Sequence, residues 1–135
     1  MNFNRNYIKL FAAELIGTFI LVLLGTGAIE LFEPSTSNRQ LLISIAFFLG
    51  VFIPIILFGK TSGAHINPVI TIIAVIEKKI SALSSIIYIS AQLIGEILAS
   101  LIVFNLSSGH SSFGATVPSI PYHLNALGEL HLPSG

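Results

Sequence analysis

Residues 62–72 read SGAHINPVITI, and they follow an eighteen-residue apolar run, LLISIAFFLGVFIPIILF at 41–58, with only Gly59, Lys60 and Thr61 between. The chain stops for Ser, His, Asn and Pro, then turns apolar again over VITIIAVI before Glu77. At about 1.5 Å per residue, eight or nine helical residues reach about 13 Å, under half of a hydrocarbon core roughly 30 Å thick. That is too short to span a bilayer, yet a soluble loop has no reason to be so apolar. The segment reads as a half-helix over residues 68–76 that enters from the cytoplasmic face and stops near mid-membrane. Asn67 is a strong N-cap type, and Pro68 suits the first helical position, where its missing N–H costs nothing.

The rest of the chain supports a membrane setting. A mean hydropathy of +0.90 with 9% charged residues lies far from the roughly 25% charge of soluble domains. Three runs are long enough to cross: Leu10 to Leu31, Leu41 to Phe58 and Ile80 to Leu106. Each carries small residues at helical spacing, Ala13 and Gly17, Ala46 and Gly50, then Ala91, Gly95 and Ala99. Such steps let backbones approach closely in lipid, so the three spans are expected to pack on one another. Arg5, Lys9, Lys60, Lys78 and Lys79 fall on one side and Arg39 alone on the other, which places the N-terminus in the cytoplasm. Residues 107–135, rich in Ser, Gly, Pro and His, read as an external loop and tail. Cysteine is absent, and the basic residues are scattered, so neither a disulfide framework nor a nucleic-acid partner is indicated. No carboxylate pair, metal cluster or nucleophile with a base stands outside the spans, which argues against an enzyme; no cofactor is implied.

The half-helix has a chemical consequence. Its N-terminal end carries unpaired N–H groups and a partial positive charge, set deep in the bilayer. The Asn67 carboxamide caps with its oxygen and still offers its NH₂ outward. The preceding SGAHI is non-helical, so its carbonyls lack intrahelical partners, and irregular backbone at membrane depth is tolerated only where it is buried in protein or lines a water-filled cavity. A row of acceptors, a donor and a positive dipole end suit water or a small hydroxylated solute and repel cations. An ordinary cytoplasmic Asn-Pro turn is the competing reading.

These residues resemble the N-terminal half of the aquaporin and glycerol-facilitator family, the major intrinsic proteins. The similar stretches are AELIGTFILVLLGTGA at 13–28, SGAHINPVIT at 62–71 and YISAQLIGEILAS at 88–100, with FGATVPS at 113–119 like the loop after the third span of some bacterial members. The resemblance implies an all-α membrane fold, with three transmembrane helices and one re-entrant half-helix forming one repeat of an inverted-repeat hourglass. It implies a passive channel for water or small uncharged solutes such as glycerol, in a plasma (inner) membrane and as a homo-tetramer. By the same resemblance Asn67, Pro68 and Val69 form the first pore motif. The carbonyls of Gly63, Ala64 and His65 line the pore, Phe47 is the second-span aromatic of the selectivity filter, and Glu14 and Gln92 anchor the loop. Phe48 competes with Phe47, and only the twenty-residue spacing to Asn67 separates them.

Several residues depart from the family pattern. Val69 replaces the usual Ala and is expected to crowd the half-helix tip or alter its packing. Glu96 stands where a small residue is usual, four residues after Gln92 on the same helix face, and reads either as protonated and bonded to Gln92 or as reaching another partner. Pro54 is expected to kink the second span. A second Asn-Pro is missing. LNALGEL at 124–130 reads as the opening of a second repeat, with Glu129 as counterpart of Glu14. Half a channel is therefore expected, completed by a separate second half. The alternatives are a non-conducting truncated remnant or structural membrane subunit, and a proton- or ion-coupled transporter using Glu14 and Glu96.

Overall fold

The computed structural model describes residues 3–33, 35–107, 123–124 and 130–131. Helix α1 runs over Phe3–Leu31, α2 over Arg39–Phe58, α3 over Pro68–Ile76 and α4 over Ala82–Leu106. Three of these helices are long and apolar enough to cross a membrane. The short α3, nine residues, is not. The chain is thus an all-helical membrane fold with one half-length helix, apart from a two-residue antiparallel ladder between β1 (His123–Leu124) and β2 (Leu130–His131). Leu124 and Leu130, the ends of the stretch read as the opening of a second repeat, pair in this ladder. Glu129 and the stretch 113–119 lie outside the described residues.

Helix α1 is central: α2 packs along one side of it and α4 along another, while α3 rests on α4. The three spans do not all pack on one another, because α2 and α4 meet only through α1. Glycines set both approaches. A methyl at Gly50 of α2 would lie 3.2 Å from the Leu21 Cα of α1, and one at Gly95 of α4 would collide with the Leu15 carbonyl oxygen and lie 3.2 Å from the Phe19 nitrogen. Ala13, Ala91 and Ala99 are buried beside these contacts, and Ala46 only partly so. Close backbone approach replaces the hydrophobic drive that lipid does not supply. Pro54 lies inside an uninterrupted α2 and is buried, its ring facing Gly17 of α1.

The ends of α1 and α3 are tied by specific groups. Arg39 donates from Nε to the Phe32 carbonyl at 2.7 Å and from Nη2 to the Ile29 carbonyl at 2.8 Å, satisfying acceptors that a helix terminus leaves open. This gives Arg39 a structural role that charge counting does not see. Helix α3 ends in a Schellman turn: Lys79 N–H donates to the Ala74 carbonyl at 2.8 Å and Lys78 N–H to the Val75 carbonyl at 2.9 Å. Lys78 holds φ 58, a left-handed conformation that usually selects glycine. Ser81 then caps α4, accepting from the Ser84 N–H at 3.1 Å, which is why α4 starts at Ala82 rather than at the apolar Ile80.

Two outcomes follow for thermal unfolding in detergent, monitored by helical circular dichroism. Gly95→Ala forces α1 and α4 apart and is expected to destabilise by about 1–3 kcal/mol. Gly27→Ala, whose methyl would meet only Val103 at an ordinary 3.6 Å, serves as the tolerated control. Lys78→Gly removes the left-handed strain and is expected to stabilise by about 1 kcal/mol.

Candidate functional site

The site is built around one carboxylate. Glu14, in the first half of α1, is 0% exposed, and four donors converge on it. Its Oε1 accepts from the Ser62 hydroxyl at 2.5 Å and from the His65 N–H at 3.0 Å. Its Oε2 accepts from the Ile66 N–H at 2.7 Å and from the Gln92 Nε2 of α4 at 2.7 Å. The structure therefore brings Glu14 and Gln92 together with the loop between α2 and α3. The buried Gln92 amide must present its nitrogen to Glu14, since the reverse orientation would set two oxygens face to face.

The loop is strained and polarised. Gly63, Ala64 and Ile66 hold φ of 86, 47 and 45, and for a β-branched residue such as Ile66 a positive φ is a genuine outlier. Strain of this kind costs about 1–3 kcal/mol per residue and persists only where the surroundings over-determine it. Here the donors do that. Gly63 N–H goes to the Gly59 carbonyl, Ala64 N–H to the Ser62 hydroxyl, and His65 and Ile66 N–H to Glu14. The Ile66 side chain is pinned as well, because it fills the space that a methyl on Gly17 would need. In contrast, the carbonyls of Gly63, Ala64, His65 and Ile66 accept no hydrogen bond from any described residue. Donors point into the protein and acceptors are left over.

Sequence reading missed three residues that complete this frame. Tyr88 of α4 donates its hydroxyl to the Ser62 carbonyl at 2.8 Å, and its ring meets the His65 ring edge-on at 5.0 Å. Ser62 bridges Glu14 and Ala64. Thr71, fully buried on α3, accepts from Gln92 Nε2 at 3.0 Å and sits 3.1 Å from His65 Nδ1. The signal for Thr71 was present: it lies one turn after Asn67, on the single polar position of an otherwise apolar helix.

At the helix start, Asn67 Oδ1 accepts from the Val69 N–H at 2.8 Å, and Pro68 occupies the first helical position. The Asn67 side chain is otherwise exposed, its nitrogen unbonded to any described residue. Val69 does not crowd the tip among the described residues; it is 60% exposed. Phe47 and Phe48 differ in packing. The Phe47 ring packs on α1 so tightly that a methyl at Gly25 would lie 2.5 Å from it, whereas Phe48 is 61% exposed and stacks on Phe52. No contact joins Phe47 to Asn67. Glu96 is exposed on α4 and makes no hydrogen bond or ion pair with any described residue; the Gln92 nitrogen goes to Glu14 and Thr71, and the Gln92 Oε1 is buried without a partner among the described residues. Glu14 and Glu96 are thus not joined through Gln92.

Replacing Glu14 by Gln turns one acceptor oxygen into an NH₂ that faces donors. Glu14→Gln is expected to cost roughly 2–4 kcal/mol in detergent denaturation, and to speed amide hydrogen exchange at His65 and Ile66 well beyond that of mid-helix amides in α1.

The architecture and this loop have counterparts. The family model described as major intrinsic protein matches residues 2–132. An aquaglyceroporin of Plasmodium berghei is 33% identical over 135 residues, covering 99% of this chain and 52% of the relative. Aquaporin Z of Photorhabdus laumondii is 36% identical over 130 residues, covering 95% and 55%. The X-ray structure of the aquaglyceroporin from Plasmodium falciparum superimposes with a TM-score of 0.68 at 32% identity, covering 76% of this chain and 43% of that one. The chain spans about half the length of these relatives. A helical scaffold with a half-length helix, matched along nearly all of its sequence, makes it an integral membrane protein, and the chain belongs to the major intrinsic protein family.

Proposed function

We propose that this chain supplies one half of a passive transmembrane channel for water or small uncharged solutes such as glycerol, completed by a complementary second repeat. The observation that carries the reading is the polarised loop: four successive carbonyls, from Gly63 to Ile66, accept no bond from any described residue, while the N–H groups of Gly63 to Ile66 are all engaged. Acceptors held this way trade hydrogen bonds with a passing hydroxyl without rearranging. The reading gives Glu14 and Gln92 the role of loop anchors and Asn67, Pro68 and Val69 that of the pore motif. Phe47 becomes the filter aromatic, braced on Gly25. The positive end of α3 and the Asn67 amide then meet solute at mid-membrane and oppose cations.

The rest of the assembly follows the same reading: the N-terminus cytoplasmic, a plasma (inner) membrane, and a homo-tetramer of completed channels. Helix α3, nine residues long, reaches only part of the way across a bilayer, and a second repeat would complete the path that it leaves open.

The test is osmotic. Vesicles of native membrane that contain the chain are expected to shrink faster in stopped-flow light scattering than vesicles from cells lacking it. Asn67→Asp, which sets a carboxylate on the pore-facing helix end, should return the rate to that of vesicles lacking the chain. Equal rates with and without the unaltered chain contradict the proposal, and dissipation of a pH gradient by the chain would favour a proton-coupled transporter instead.

A further inference from the structure

Glu96 is the one charged side chain within the apolar body of α4, 14 residues after Ala82 and 10 before Leu106, or about 21 Å and 15 Å along the axis. It is exposed and has no polar partner among the described residues. An ionised carboxylate in lipid is costly, so its flank is not a lipid-facing surface by design.

Helix geometry says which way that flank points. Successive residues turn by about 100°. Gly95 meets Leu15 of α1, and Gln92 meets Thr71 of α3. Moving around α4 from Gly95, Gln92 comes at about 60° and Glu96 at about 100°. Glu96 therefore lies just beyond the α3-facing side, about a right angle around α4 from the Gly95 contact with α1. Half-buried Ser100, one turn along, shares that flank. Leu98, about 200° from Glu96, faces the other way and is exposed.

We infer that Glu96 is the docking contact of α4 for the complementary repeat, where it accepts a hydrogen bond from a donor side chain, an amide, hydroxyl or cationic group, on a spanning helix of that repeat. The inference rests on the channel reading only in requiring that a second repeat exists. Charge complementarity selects the occupant: lipid tails offer a carboxylate nothing, whereas a donor-bearing helix satisfies it. The chain also spans only about half of its relatives, so a further set of helices has a place to sit.

The experiment places a photoreactive benzophenone side chain at Ser100 or, as control, at Leu98, in the full chain illuminated in its native membrane. Mass spectrometry then identifies the adducts. The Ser100 position is expected to capture peptide from a segment bearing a second Asn-Pro motif, continuous with this chain or separate, and the Leu98 position to capture lipid. Glu96→Leu should lower the Ser100 adduct by about threefold or more, and Glu96→Gln, which keeps an acceptor, should preserve it. Lipid alone at Ser100, capture only of another copy of residues 1–107, or indifference to Glu96→Leu overturns the inference. Osmotic rates separate the two failures. Lipid at Ser100 with permeation intact defeats the docking contact and leaves the channel; capture without permeation does the reverse.

Discussion

A single carboxylate, Glu14, holds the irregular segment between α2 and α3 in place. It takes hydrogen bonds from two consecutive backbone N–H groups, a serine hydroxyl and a glutamine amide, and it does so from a fully buried position on the central helix. In hydrocarbon a backbone N–H without a partner costs several kcal/mol, so the loop between α2 and α3 is affordable only with such a partner. The left-handed conformations of Ala64 and Ile66 would not persist without it.

From that constraint the rest of the arrangement follows. Binding the loop by its donors leaves its acceptors unpaired, which gives the segment a polarity no regular helix or strand has. Helix α3 can then start at mid-chain because Asn67 supplies its cap, and it can stop after nine residues because the Lys78 and Lys79 amides close its last carbonyls. The frame has to be narrow for the bonds to reach. Gly17, Gly50 and Gly95 bring α2, α4 and the loop against α1 at distances that a methyl group would prevent. Packing and polarity are thus coupled: the glycines set the spacing at which the carboxylate works.

Much of this was legible in the sequence. The half-helix was visible as an apolar stretch too short to span, with a cap and a proline at its start, and the three spans as long apolar runs with small-residue steps. The carboxylate stood out because a charged group in an apolar run is costly. What stayed hidden depended on three-dimensional neighbours. Thr71, Ser62 and Tyr88 are ordinary residue types whose importance comes from distances of about 3 Å across helices. Phe47 and Phe48 are equivalent in composition, and only packing against Gly25 tells them apart. The reading in which a protonated Glu96 bonds to Gln92 is not what the structure shows: helical spacing gives a shared side of the helix, but Glu96 is exposed, and the buried Gln92 Oε1 that would accept from it has no partner among the described residues. Ile80 is apolar but lies outside α4, because a turn held by Lys78 and a cap by Ser81 decide the boundary.

The channel reading depends on the unpaired carbonyls facing water rather than lipid or protein. Water-edited solid-state NMR of the chain in its native lipids, with carbonyl carbons labelled at Gly63, Ala64 and His65, tests this directly. The account predicts that magnetisation from mobile water reaches those carbons as quickly as it reaches exposed residues such as Lys60, and far sooner than it reaches the Gly17 carbonyl in α1. Transfer from lipid acyl protons instead, or a build-up as slow as that of Gly17, would contradict it.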